Sequence, residues 1–157
     1  MDKDLKELLS ALNAQGVKYM VVGGYAVGVH AQPRVTKDID IFIEMSRENA
    51  EAVYAALAAF GAPLAGISAE DFLKPASVLR IGVPPVAVDI LQHIDGVTFE
   101  EAWNHCAECM VDDEIPARYI SADDLITNKL ASGRPQDLAD VAAIRQARAA
   151  QGRKAGS

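Results

Sequence analysis

The run "DIDIFIE", Asp38 to Glu44, constrains the fold most, because Ile39, Ile41 and Ile43 alternate with Asp38, Asp40 and Phe42. Strict alternation is the period of a β-strand, so the isoleucines share one face and the aspartates share the other. The run therefore predicts a strand secured by its isoleucine face, with two carboxylates side by side opposite. Many D-x-D pairs are simply solvated at a strand end. Inside a fold, two close carboxylates cost free energy unless a cation or hydrogen bonds neutralise them.

Other elements follow from periodicity and caps. Leu5, Leu8, Leu9 and Leu12 recur at helical spacing between Asp2 and about Gln15, and Gly16 follows as a stop. "KYMVV" reads as a short buried strand running into Gly23-Gly24, and "YAVGVHA" as a short helix or turn ended by Pro33. Ser46 caps a long alanine-rich helix, "RENAEAVYAALAAF", which Gly61 terminates. A short helix near "SAEDFLK" precedes two strands, "SVLRIGV" and "VAVDILQH", and Pro84-Pro85 between them predicts an antiparallel hairpin. Thr98 with Glu101 forms a capping box for "TFEEAW". "CMVDDEIPARYIS" is expected to be irregular or strand around an exposed acidic turn, Asp112 to Glu114. "SADDLITNKLAS" and "RPQDLADVAAIRQAR" read as two helices, the first capped by Ser121 and Asp124, the second opened by Pro135. This order predicts an α/β (α+β) domain, a small mixed β-sheet flanked by helices.

With 157 residues, half of them apolar, and a net charge of −7, the chain is read as one domain over residues 1–150. Residues 151–157 are expected to form a basic, flexible tail, where Arg153 and Lys154 follow Arg145 and Arg148. The amphipathic start is not a leader and no apolar run is long enough for a membrane span, which predicts a cytoplasmic protein. The acidic balance argues against an extended nucleic-acid surface. Cys106 and Cys109 form an isolated C-x-x-C without a second pair, read as two free thiols in a reducing compartment.

Asp89 interrupts the apolar strand "VAVDILQH", where an unpaired buried charge would be expensive. If that strand neighbours "DIDIFIE", three carboxylates meet at one edge of the sheet. An oxygen-only set suits a hard cation, Mg²⁺ or Mn²⁺, and Mg²⁺ is commonly bound by a few carboxylates together with substrate phosphates. Gly23 and Gly24, between a strand and a helix start, allow bare backbone N–H groups to approach phosphate oxygens. A tight turn is the plainer explanation of that pair. "GGYAVG" fits neither the P-loop nor the G-x-G-x-x-G spacing, so a Rossmann-like oxidoreductase is disfavoured.

Three segments in order, "VVGGYAVGVHAQPRVTKDIDIFI", "RIGVPPVAVDILQHIDGVTFEEAW" and "DLITNKLASGRPQDLADV", resemble a minimal nucleotidyltransferase of the DNA polymerase beta superfamily, close to AbiEii-type proteins. The likeness covers Val21 to Val141 and implies a polymerase-beta-like core with C-terminal helices. It implies that Asp38 and Asp40 are the paired metal-binding aspartates, and that Asp89 is the third carboxylate, which helps bind metal and activates the acceptor hydroxyl. Gly23 and Gly24 match the turn that holds the triphosphate, Lys129 matches a late lysine reaching phosphate or nucleotide, and Arg34 and Thr36 match nucleotide-site positions. The implied activity transfers a nucleoside monophosphate from an NTP such as ATP to a hydroxyl acceptor, a small molecule, protein or RNA, with two Mg²⁺ or Mn²⁺ ions and release of pyrophosphate. As relatives often carry a further recognition region, a protein partner could supply the missing surface.

The competing reading, from another class, is a non-catalytic nucleotide-binding or interaction module, such as a toxin–antitoxin component. Several ordinary explanations stand beside the functional ones. Lys129 can be a helix-surface lysine, Arg134 a bridge between two helices, and Asp137 an acid favoured by the helix dipole. His30 and His93 are read as packing or supporting residues, with His93 an outside candidate because it shares the strand face of Asp89.

Overall fold

The computed structural model describes residues 1–32, 38–75, 78–82 and 87–155. Helix α1, Lys3–Ala14, starts where the Asp2 side chain accepts from Asp4 N, and it buries the four leucines that set its period. The chain then enters strand β1, Tyr19–Val22, buried throughout, and passes directly into helix α2, Gly23–His30. Strand β2 is Asp38–Ile43, and helix α3, Arg47–Phe60, begins at Ser46, whose hydroxyl accepts from Asn49 N at 3.1 Å.

A 3₁₀ turn, Ala69–Leu73, carries a complete capping box between Ser68 and Asp71, so the short helix expected near "SAEDFLK" takes the tighter form. Strands β3, Val78–Ile81, and β4, Ala87–Leu91, pair antiparallel as their sequences suggest; the Pro84-Pro85 turn between them lies outside the described residues, as does Pro33. Helix α4, Phe99–His105, follows Thr98, whose side chain accepts from Glu101 N.

Residues expected to be irregular or strand form a hairpin of β5, Ala107–Val111, and β6, Ile115–Tyr119. Its turn places Asp112 and Asp113 at φ 51° and 58°, the left-handed region that aspartate tolerates better than most residues. Lys6 holds that turn, its Nζ 3.4 Å from both Asp112 and Glu114. Cys106 ends α4 and Cys109 lies in β5; both are free and half-buried. Helices α5, Ala122–Ser132, and α6, Pro135–Ala155, complete the order, and α6 continues into the stretch expected to be a tail.

Among the described residues the strands form a six-stranded mixed sheet in the order β3-β4-β2-β1-β6-β5. Neighbours β2 and β4, and β1 and β6, run parallel; the remaining pairs are antiparallel. This is the mixed α/β architecture expected from the element order. The core gathers β1, the isoleucines of β2, the α1 leucines and Ala50, Val53 and Leu57 of α3. Buried Asn49 ties these layers together, accepting from Lys18 N and donating to the carbonyls of Lys18 and Glu44. Phe42, on the aspartate face of β2, meets Phe99 of α4 edge to face. Helix α2 packs on β1, β2, α5 and α6, which brings the last two helices to the aspartate end of the sheet. No helix of the described residues is long and apolar enough to cross a membrane.

Candidate active site

The register of four strands assembles the site. In the parallel pair β2–β4, Asp40 lies against Asp89, and in the antiparallel pair β3–β4, Asp89 lies against Arg80. Across β1–β2, Asp40 lies against Val22. In-register neighbours present their side chains to one face, so a single row runs Arg80, Asp89, Asp40, Val22. Asp38, two residues before Asp40, adds a third carboxylate on the same face.

Val22, Asp38, Asp40 and Asp89 line a cleft of about 770 Å³, together with Gly23, Gly24 and Lys129. Three of its carboxylates are thus the ones singled out from the sequence, brought to one place by strand pairing. Asp40 is pushed up to about 6, first by burial, then by the Asp89 charge and a hydrogen bond with Asp89, then by Asp38; Lys129 pulls the other way. Asp40 binds a proton more readily than a solvated aspartate does, chiefly because it is buried and then because the neighbouring carboxylates add negative charge.

Part of that charge is met by Arg80. Its Nε donates to Asp89 Oδ1 at 2.9 Å, and its Nη2 donates to Asp89 Oδ2 at 3.0 Å and to Asp38 Oδ2 at 2.9 Å. The guanidinium is held above its ordinary range, chiefly by the hydrogen bond to Asp89. Among the described residues no three His, Cys, Asp or Glu side chains are already gathered around one cation position. The donor set nevertheless fits a hard divalent cation. It is all oxygen, it stands on adjacent strands, and Arg80 reaches Asp38 and Asp89 while Asp40 keeps its excess charge.

Helix α2 points its start at this cluster. Its N-cap, Val22, offers no side-chain hydrogen bond, so the first N–H groups keep their donor capacity for a ligand. Gly23 has φ +67°, and a Cβ there would collide with Asp40 Oδ2. Glycine lets the helix start abut the carboxylate. Gly23→Ala is expected to destabilise the chain by about 2–4 kcal/mol, combining the left-handed backbone cost with overpacking. Gly16 shares φ +67° but has open space around it, so Gly16→Ala should cost only about 1–2 kcal/mol. Urea denaturation of both variants measures the difference, and equal losses would show that the approach to Asp40 does not constrain position 23.

The late motif forms a joint between helices. Gly133, in the left-handed conformation, ends α5, and Pro135 opens α6. Lys129 is buried, with Nζ 3.2 Å from Asp137 Oδ1 and 3.0 Å from Asp140 Oδ2. Arg134 donates to Asp137 Oδ2 from its backbone N at 3.2 Å and from Nε at 2.8 Å. Burial pushes the Asp137 carboxyl up, but the hydrogen bonds from Arg134 and Lys129 outweigh it and hold the group below its usual range. Lys129 is therefore no surface lysine: it faces the cleft from inside an ion-paired cluster.

Arg34 and Thr36 lie outside the described residues. His93 is exposed and lines the same cleft, its Nε2 3.8 Å from Asp95 Oδ1. His30 anchors α2 by donating from Nε2 to the Ile120 carbonyl at 2.6 Å. Sequence reasoning gave no role to Arg80 or Asp140. Arg80 left one signal, as the single charged residue in the apolar run "SVLRIGV". Asp140 left less, since an acid in a helix that also carries Asp137 and several arginines is unremarked without its partner.

No curated protein matches the sequence. Solved structures that share the fold include two of ANT(2'')-Ia. A solution structure of antibiotic-resistance factor ANT(2'')-Ia, described as revealing substrate-regulated conformation dynamics, is 16% identical with TM-score 0.59, covering 96% of this chain and 84% of that one. A crystal structure of ANT(2'')-Ia in complex with adenylyl-2''-tobramycin is 16% identical with TM-score 0.58, covering 96% and 88%. At that identity the likeness is one of fold. A family model described as "Nucleotidyl transferase of unknown function (DUF2204)" matches residues 1–154, nearly the whole chain that carries the strand row, the α2 start and the α5–α6 joint, and to that family the chain belongs.

Proposed function

We propose that the chain is a metal-dependent nucleotidyltransferase that moves a nucleoside monophosphate from a nucleoside triphosphate to a hydroxyl acceptor. The observation that carries this reading is the convergence of Asp38, Asp40 and Asp89 in one cleft beside the Gly23–Gly24 start of α2. Helix α2 orients the triphosphate with its leading N–H groups and its dipole. Asp38, Asp40 and Asp89 would hold two Mg²⁺ or Mn²⁺ ions, which when bound neutralise charge on the transferring phosphoryl group and favour the deprotonated acceptor. An Asp89 carboxylate oxygen takes the acceptor proton as the acceptor oxygen bonds to the α-phosphorus. The bond from that phosphorus to pyrophosphate breaks in the same displacement.

The protein's work is position and charge. Strands β2 and β4 fix the carboxylates in register, so little reorganisation is left for the reacting state. Buried Lys129 adds a positive field toward Asp40, opposing its protonation. Arg34 and Thr36 belong to this reading as nucleotide contacts through the sequence resemblance alone. So does the AbiEii-type affiliation, which rests on the glycine turn, the Asp38–Asp40 segment, Asp89 and the late Lys129–Asp137 motif in combination; a cytoplasmic setting belongs to this reading through the charged, amphipathic start and the lack of a long apolar run.

The acceptor class draws support from the structural neighbour, whose complex contains adenylyl-2''-tobramycin, an adenylyl group on a polyhydroxylated amine. A small molecule with ATP as donor is therefore the first combination to test. With α-³²P-labelled nucleoside triphosphates, Mg²⁺, and either tobramycin or size-fractionated cell extract, label is expected to move to an acceptor and to stay on the triphosphate when EDTA is added. Triphosphate binding without transfer to any fraction, for all four nucleotides, would instead favour the non-catalytic module.

A further inference from the structure

Arg80 occupies a position that the proposed reaction needs for something else. Three charge-assisted hydrogen bonds, at 2.9, 3.0 and 2.9 Å, attach its guanidinium to both oxygens of Asp89 and to Asp38 Oδ2. A bidentate fork of this kind uses the same carboxylate oxygens that a cation would take. The arrangement follows from register, because Arg80 is the cross-strand neighbour of Asp89 on β3. It is also reversible. Strand β3 is at the edge of the sheet, and the Arg80 side chain is 56% exposed while the Asp89 side chain is 13% exposed. The guanidinium can swing into water, whereas the carboxylate cannot leave.

We infer that Arg80 is a resident counter-ion for the carboxylate cluster, a positioning residue that holds Asp38 and Asp89 together until a divalent cation displaces it. This rests on the reading that those carboxylates are cation ligands. An arginine serving only to fasten the edge strand would have no reason to bridge two carboxylates on two different strands, β4 and β2. As a counter-ion, it limits like-charge repulsion in the cation-free chain, and its release is the exchange step that accompanies cation loading.

The test uses the full chain and metal alone. Mn²⁺ binding is measured by electron paramagnetic resonance of free Mn²⁺ for the wild type, R80K and R80Q. Removing the competitor should tighten Mn²⁺ binding by about threefold to tenfold in R80Q, with R80K between the two. In the wild type, the Arg80 Nε–H resonance, assigned by its absence from R80K, should move toward the free-arginine position on titration with Mg²⁺. Sodium chloride at equal ionic strength should leave it in place. Wild-type binding with R80Q no tighter, or an Nε–H resonance unmoved at saturating Mg²⁺, overturns the counter-ion role alone. Absence of Mn²⁺ binding in both the wild type and R80Q overturns that role and the metal-dependent reading together. The resonance needs no variant at saturation, so a poorly folded R80Q does not protect the inference.

Discussion

Asp40→Asn is expected to abolish nucleotidyl transfer, by about 10³-fold or more, and to make the cation-free chain more stable at neutral pH. Both effects come from one carboxyl group. Asp40 sits in the middle of the row between Asp89 and Val22, against the start of α2. Asparagine keeps its shape and loses the charge. The stability gain follows from linkage. Folding raises the Asp40 pKa from its ordinary 3.8 to about 6, so the folded state binds the proton more tightly than the unfolded state. Its favourable contribution is complete below the unfolded value and is lost as pH rises through about 6. Above that, ionised Asp40 costs about 3 kcal/mol relative to a neutral group. In EDTA, wild-type stability should therefore fall between about pH 4 and pH 7, and Asp40→Asn should flatten that part of the profile. Chemical denaturation at pH 4, 6 and 8, set beside a transfer assay, measures both halves. Transfer that survives in Asp40→Asn would remove Asp40 from the reaction. A profile unchanged by the substitution would show that its proton is not coupled to folding.

Lys129→Met should cost about 3–5 kcal/mol of stability. The Lys129, Asp137 and Asp140 side chains are 7%, 1% and 4% exposed, so water cannot take the place of the lost ammonium. Methionine fills the volume but takes the ammonium away from two buried carboxylates, to which Arg134 and Gln136 also donate. Lys129 is one of the donors that hold the Asp137 carboxyl below its usual range against burial, so the loss should be largest at pH 7, where that group is ionised, and should narrow toward pH 4. Urea midpoints at the two pH values read this directly. A loss that does not depend on pH would point to packing and would sink the ion-pair account. The same variant should bind triphosphate less well, because the positive field on the cleft goes with the charge. That readout separates a purely structural lysine from one that also serves the site.

Much of the chain was legible in local pattern. The leucine spacing of α1, the Ser46 cap, the alternation of β2 and the glycine stops act over a few residues, and their elements formed where they pointed. The β5–β6 hairpin was harder to read. Strand β5 is an edge strand with largely exposed residues, so it has no buried face to write an alternation, and its turn uses Asp-Asp in place of a glycine-containing pair. The joint at Lys129 was visible as a motif, but its partner Asp140 was not, because an ion pair between two helices is recorded in neither helix alone.

By itself, the sequence determined that Asp38 and Asp40 share one face of a strand, since a period of two is a property of the backbone. It also determined that Asp89 interrupts an apolar strand and that glycine opens α2. Only the tertiary structure decided that Asp89 lies against Asp40 and that Arg80 spans from Asp89 to Asp38. The physical reason is that strand order and register are fixed by packing between residues far apart in the chain. A shift of one residue in β4 would turn Asp89 to the other face, with every local signal in the sequence unchanged.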